Sequence, residues 1–365
     1  MNKSASAKVT SIDWRQETGP LKALLLDTEV SEIMANSWNE IFVERNGRIE
    51  TAKEHFGSPT NFAQCIQSLC VFAGKEVNRR SPFLDARLPD GSRMNVVVPP
   101  VSFGGPVLTI RKAINSLMDY RALIERGALT DKAVYFLNKL VDARQNIVIT
   151  GASGSGKTTL LSVLTSFVDG AQRLIVVEDT TEVKIQVKNF VRMEVPQVGL
   201  GEEEVTMKDL LRNALRMRPD RLIVGECRGS ETIDMILAMN TGHEGSMTTI
   251  HANSAIDGLT RMESMVLHSG TQLPRSLIQQ NIATTIQFVI HADLGPDGKR
   301  RLDEVLEIRG WENGNYVTAP IFKWNAKDGL VSTGEVPQIA GEKPVPEVKF
   351  PDRFFEPSVK VKFGK

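Results

Sequence analysis

The sequence predicts an α/β protein: a mostly parallel sheet flanked by helices, preceded by a smaller α+β domain. Three observations predict it. From residue 131 to 310, short apolar runs alternate with segments of helical spacing, the pattern of parallel strands joined by helical crossovers. Between the first of these runs and the helix after it lies a glycine-rich stretch, GASGSGKTT. The region before residue 112 differs, with strand pairs closed around Asn46-Gly47 and around Pro89-Asp90-Gly91, the turn chemistry of hairpins.

Taken in order, residues 1–28 read as a lead-in with one amphipathic stretch from Leu21 to Leu26. The N-terminal α+β domain spans 29–112. Its elements are a hairpin over 40–50, a helix from Ser58 to Phe72 with Phe62, Ile66, Leu69 and Cys70 on one face, two strands within 85–98, and a strand over 106–111. Residues 113–130 read as a linker with one short helix. The larger domain spans 131–310 and opens with a helix from Asp131 to Arg144 that turns Ala133, Phe136, Leu137 and Leu140 to one side. Strands are expected at 146–150, 173–177, 221–225, 246–250 and 286–291. Residues 311–365 form a C-terminal extension; its tail from 341, rich in Pro, Lys and Phe, is expected to lie over the surface as an extended arm.

Composition narrows the class. An apolar content of 41% over 365 residues is enough for two real cores. Lys+Arg and Asp+Glu both number 44, so the formal net charge is zero, which argues against a nucleic-acid-binding protein. Cys65, Cys70 and Cys227 make neither a disulfide framework nor a zinc pair, which fits a reduced, cytoplasmic compartment. No apolar run approaches the ~18 residues of a membrane span, and residues 1–10 lack the apolar core of a signal peptide. Contact with a membrane is therefore expected only through partners.

The stretch Gly151, Ala152, Ser153, Gly154, Ser155, Gly156, Lys157, Thr158, Thr159 fits the phosphate-loop pattern G-x-x-x-x-G-K-[ST] at every fixed position. It follows the apolar run 146–150 and opens into a helix marked by Leu160, Leu164, Phe167 and Val168. Glycines let successive N–H groups point inward at phosphate oxygens, and the helix adds its positive end to the same anion. Lys157 is expected at the β- and γ-phosphates and the Thr158 hydroxyl on Mg²⁺. The chain is therefore expected to bind a nucleoside triphosphate along all nine residues.

Three further segments specify the chemistry. An apolar strand runs into clustered acids at Glu178, Asp179 and Glu182. Ligands in open α/β sheets sit beyond the C-terminal strand ends, so Glu178 is expected to hold Mg²⁺ or orient the attacking water. A second strand ends in Gly225-Glu226, a Walker-B arrangement in which Glu226 is placed to accept the proton of the attacking water. A third segment carries His243 and, at a strand end, His251, whose ring N–H is suited to report the γ-phosphate.

The order of phosphate loop, acidic box, Walker B and histidine box resembles the secretion-superfamily ATPases of type II and type IV secretion and type IV pili. Residues 85–95, 214–220 and 238–246 look most like the CpaF-like (TadA) branch that powers tight-adherence (Tad, Flp) pili. The resemblance implies a RecA-like ATPase domain, a homohexamer, and basic side chains from the N-terminal domain at the phosphates, here Arg93 and Arg111, with Arg87 less well matched. It also implies a cytoplasmic motor, peripheral to the inner membrane, that drives a platform protein there. The tetracysteine zinc element of the type II branch is absent from the sequence, and Val195-Pro196-Gln197 stands where a further arginine is expected. The alternatives are a conjugation-like type IV traffic ATPase, a DNA translocase on the same core, and a non-hydrolysing scaffold. The presence of Lys157, Thr158, Glu178 and Glu226 argues against the last.

Overall fold

The computed structural model describes residues 13–45, 47–113, 119–196, 205–295, 297–340 and 348–363. Parts of the lead-in, the linker and the tail, and Gln197, lie outside the described residues. The chain divides into two compact units, Met1–Ser116 and Leu117–Lys365.

The first unit is a six-stranded antiparallel sheet: β1 (Val30–Ser37), β2 (Glu40–Arg45), β3 (Arg48–Thr51), β4 (Phe83–Arg87), β5 (Arg93–Val97) and β6 (Val107–Arg111), in the order β3-β2-β1-β6-β5-β4. Alternation sets its sidedness. Ile33, Ala35, Ile41, Val43, Leu84, Ala86, Met94, Val96, Leu108 and Ile110 are buried in one core. Helices α1 (Leu21–Leu26) and α2 (Pro59–Phe72) contribute Leu21, Leu24, Leu25, Phe62, Ile66 and Leu69 to it. Ser58 caps α2 by accepting from the Asn61 N–H, a contact worth about 1 kcal/mol. Within the expected lead-in, Trp14, Leu21, Leu24 and Leu25 are buried in this core, whereas Leu26 is exposed. The tight turn between β4 and β5 is closed by the Gly91 N–H donating to the Leu88 carbonyl at 2.8 Å.

The second unit contains α3 (Tyr120–Glu125), α4 (Asp131–Asp142), β7 (Ile147–Gly151), α5 (Lys157–Ser166), β8 (Leu174–Glu178), β9 (Phe190–Glu194) and α6 (Met207–Ala214). These are followed by β10 (Arg221–Val224), α7 (Glu231–Asn240), β11 (Met247–His251), α8 (Ala255–His268), α9 (Arg275–Thr285) and β12 (Phe288–Leu294). Three further strands, β13 (Arg300–Glu312), β14 (Asn315–Asn325) and β15 (Gly329–Ser332), complete a nine-stranded sheet of order β15-β14-β13-β12-β7-β11-β10-β8-β9. The run from β12 to β9 is parallel, and β13 to β15 are antiparallel.

The apolar runs that predicted the strands are continuous because both sheet faces are covered. Alternate residues divide between two cores. Ile147, Ile149, Leu174, Val176, Phe288 and Ile290 join α4 and α5 on one side, whereas Val148, Ile175, Val177 and Val289 join α6 to α9 on the other. Each expected strand is present within a few residues. Beyond residue 310, β14 and β15 continue the sheet, and in the tail Phe350 and Phe355 pack on Phe136 while Phe354 packs on Phe350 and Phe355. Likewise α3, expected in the linker, places Tyr120 against Phe167 and Phe363.

Candidate functional site

Parallel strands deliver their functional side chains to one edge. Gly151 ends β7, Glu178 ends β8, and His251 ends β11 directly opposite Gly151; Glu226 follows β10 by two residues. Residues from four strands that lie far apart in the chain therefore converge beyond the carboxyl ends, where an α/β sheet binds its ligand.

The phosphate loop turns between β7 and α5. Gly151 leaves no room for a side chain: a Cβ there would stand 2.2 Å from the Ala292 carbonyl oxygen. Gly156 caps α5 in a left-handed conformation with no side-chain cap, unlike α2, α4, α6 and α8, which are capped by Ser58, Thr130, Thr206 and Ser254. The first N–H groups of α5 thus remain directed at the loop, with the positive end of the helix behind them. The Ser155 hydroxyl is buried and without a hydrogen-bond partner. A buried polar atom of this kind is costly unless a ligand satisfies it, and a phosphate oxygen does so.

Lys157 is almost fully buried and donates to the Gly151 and Ala152 carbonyls at 3.0 and 2.8 Å. Burial lowers the pKa of its ammonium, opposed by Glu226 and Glu182. Lys157 also lies 3.3 Å from His251 Nδ1, and His251 Nε2 lies 3.0 Å from Glu226 Oε1. A lysine ammonium only donates, so Nδ1 accepts and the ring proton resides on Nε2. The second oxygen of Glu226 is held by Arg228, whose guanidinium also reaches Asp179 at 3.3 Å. Lysine, histidine, glutamate, arginine and aspartate form one continuous chain.

Glu178, of which a metal or catalytic role is expected, is turned toward its own loop at the end of β8. Its side chain is 2% exposed, and Oε1 accepts from the Glu182 and Val183 N–H groups at 2.7 and 2.8 Å. Oε2 pairs with Arg192 at 3.3 Å. Burial pushes its pKa up, against the opposing pull of those N–H groups and of Arg192. It also packs against Gly225, where a Cβ would stand 2.9 Å from Glu178 Cγ, so the glycine before Glu226 is required by this close approach. The acid to which the Thr158 hydroxyl donates is Glu182, at 3.4 Å.

The other expected residues separate. Ala152, Ser153, Gly154 and Thr159 belong to the loop and the start of α5 as expected. His243 lies away from the chain of charges and contacts the Ala238 carbonyl near the end of α7. Arg93 and Arg111 belong to the N-terminal unit, where they are directly paired across β5 and β6, with Arg87 opposite Arg93 on β4. Sequence reasoning did not find two other contacts at the site. His291 on β12 holds Thr150 at 3.0 Å, and Arg300 on β13 donates to the Gly154 carbonyl at 2.8 Å. Neither carries a local signal, since each partner is more than a hundred residues away.

An uncapped helix start behind a glycine loop, a buried lysine within it and a glutamate at a neighbouring strand end define a phosphate-loop ATPase. The Type II/IV secretion system protein family matches residues 15–311, and the chain belongs to that family. It is 32% identical over 296 residues to the conjugal transfer protein TrbB of Rhizobium radiobacter, covering 80% of this chain and 88% of that one. It is also 32% identical over 338 residues to the type IV secretion system protein VirB11 of Brucella abortus, covering 83% and 92%. Among solved structures, the ATPase DotB of Yersinia pseudotuberculosis matches with a TM-score of 0.59 at 18% identity, over 79% of this chain and 77% of that one. The pilus retraction motor PilT with bound ADP matches at 0.56 and 22%, over 77% and 80%. These two likenesses bear on the fold, which is RecA-like. Among the described residues, no helix is long and apolar enough to cross a membrane.

Proposed function

We propose that this chain is the motor ATPase of a secretion or pilus machine, working as a homohexamer that passes the work of hydrolysis to a membrane platform protein. The observation that carries the hydrolytic part is the chain Lys157–His251–Glu226 beside an open phosphate loop. On this reading the triphosphate enters the loop, and Lys157 exchanges its two carbonyl partners for β- and γ-oxygens. Glu226 takes a proton from the attacking water as the new P–O bond forms and the bond to ADP breaks. Arg228 engages one oxygen of Glu226 through a single bond, which leaves acceptor capacity for the water proton. His251 holds the other and keeps the carboxylate aimed.

The donor set suits Mg²⁺, a hard cation that keeps waters and takes few protein ligands besides phosphate oxygens. Thr158 and Glu182 are the residues that would hold it, Glu182 in place of the Glu178 expected from sequence. Bound with the nucleotide, it supplies charge that neutralises the β- and γ-oxygens. The phosphate-sensing role proposed for Arg93 and Arg111 rests on the family resemblance alone.

Two substrates of the motor remain distinct. Residues 85–95, 214–220 and 238–246 support a tight-adherence pilus. The relatives named for conjugal transfer and type IV secretion support a conjugation-like machine at least as strongly. Replacing the chromosomal copy with Glu226→Gln tests both: loss of surface pili with intact transfer supports the first, and loss of conjugal or effector transfer with intact pili the second. Mass measurement with an ATP analogue and Mg²⁺ is expected to give a hexamer. A strict monomer at high concentration under those conditions overturns the motor assignment.

A further inference from the structure

Strand β13 brings a cation to the phosphate loop from outside every nucleotide-binding motif of the sequence. It begins at Arg300, opposite Leu294 on β12, and β12 runs beside β7 with His291 opposite Thr150. Two neighbours lock its start. Arg301 stacks on the Trp324 ring at 3.6 Å, and the Leu302 N–H donates to the Ala128 carbonyl at 3.0 Å. Because successive strand side chains alternate in direction, fixing Arg301 on one face presents Arg300 on the other. There the Arg300 Nε donates to the Gly154 carbonyl at 2.8 Å, and its Cδ lies 3.7 Å from where a Cβ of Gly156 would stand.

We propose that Arg300 is a positioning residue of the phosphate loop, setting the orientation of the Gly154–Ser155 peptide before nucleotide arrives. The inference rests on the assignment of residues 151–159 as the nucleotide site. The Gly154 carbonyl and the Ser155 N–H are two ends of one planar unit, so a bond that fixes the first also fixes where the second points. Gly154 sits at a φ of +73° and has the widest conformational freedom of any residue type, so this peptide gains most from an outside tie. A hydrogen bond from a guanidinium is stronger than one from a neutral donor, and its remaining N–H groups keep positive charge at the rim that a polyphosphate approaches.

The test is equilibrium binding of ATP and ADP to the full chain with Mg²⁺, alongside steady-state hydrolysis. Arg300→Ala is expected to weaken both nucleotides by about fivefold or more, the effect of losing one charge-assisted bond, and to raise KM by more than it lowers kcat. Arg300→Lys is expected to recover most of the affinity, because an ammonium still donates to the carbonyl. Unchanged or tighter binding in Arg300→Ala overturns the proposal while leaving the nucleotide site standing. So does a fall in kcat without a change in affinity, or a lost affinity accompanied by a lower Tm that Arg300→Lys does not restore. Wild-type protein that bound neither nucleotide would instead overturn the assignment of the loop, and the role of Arg300 with it.

Discussion

His251 Nε2 lies 3.0 Å from the Glu226 carboxylate Oε1, and the opposite ring nitrogen faces Lys157 at 3.3 Å. The imidazole therefore bridges the cation of the phosphate loop and the acid of the neighbouring strand. Burial lowers the pKa of His251, with Glu226 opposing, and Lys157 and Arg228 disfavour a second cation beside them. A neutral ring suits this position.

The bridge separates three variants. Lys157→Ala is expected to lose nucleotide binding or hydrolysis, because the cation facing the phosphates is gone. Glu226→Gln keeps its shape but cannot accept a proton, so ATP should bind while hydrolysis falls by about 10²-fold or more. His251→Ala should bind ATP and lose less rate than Glu226→Gln, since it removes the support of the base and leaves the base itself. Labelled-ATP binding measured beside phosphate release checks all three. Equal loss of binding and turnover in Glu226→Gln would make that residue structural.

Glu182 and Glu178 should part in opposite directions. Glu182→Gln is expected to raise the Mg²⁺ concentration needed for half-maximal hydrolysis several-fold, with Tm little altered. Glu178→Gln replaces a buried acceptor of two backbone N–H groups and the partner of Arg192, at a cost of about 1–3 kcal/mol in stability. Magnesium titrations and thermal melts of both variants decide the matter. The reverse pattern would return the metal role to Glu178.

His291 should make the protein sensitive to mild acid. Burial pushes its pKa below the ordinary 6.5, so the unfolded chain takes up a proton at a higher pH than the folded one. The stability it contributes is therefore present above that ordinary value and is lost as pH falls through the folded pKa. Urea midpoints are expected to fall between about pH 7 and pH 5, and to fall less in His291→Gln, which keeps a polar partner for Thr150 without titrating. An identical pH slope in the variant would remove His291 as a cause.

The tail should stabilise the second unit. Phe354 is fully buried, close to Tyr135, Phe350 and Phe355, and Lys132 ties the same segment down through the Glu356 carbonyl at 2.7 Å. Phe354→Ala is expected to cost about 3–5 kcal/mol, read as a lower urea midpoint at constant slope. A change near zero would mean that the tail merely rests on the surface.

Much of the fold was legible from local pattern. The strands of the parallel region were visible because a strand covered on both faces is apolar at every position, as at Ile147, Val148 and Ile149. The helix beginning at Asp131 was visible from its apolar stripe. The tail was not, because aromatic residues in an aperiodic stretch do not indicate which surface they will meet. Lead-in residues 14–26 were set apart from the N-terminal domain for a related reason: a six-residue helix gives too little pattern to show that its leucines complete another element's core.

By itself the sequence determined the phosphate loop, the five strands of the parallel region from 146 to 291 that it marks with apolar runs, and the family, since each depends on residues adjacent in the chain or spaced by one helical or strand period. Tertiary structure alone decided which acid meets Thr158, that Glu178 turns inward to two N–H groups, and that Arg300 reaches Gly154. Those outcomes depend on register and burial between strands far apart in sequence. A carboxylate at a strand end reads the same whether it faces solvent or its own loop, and only the packing around it distinguishes the two.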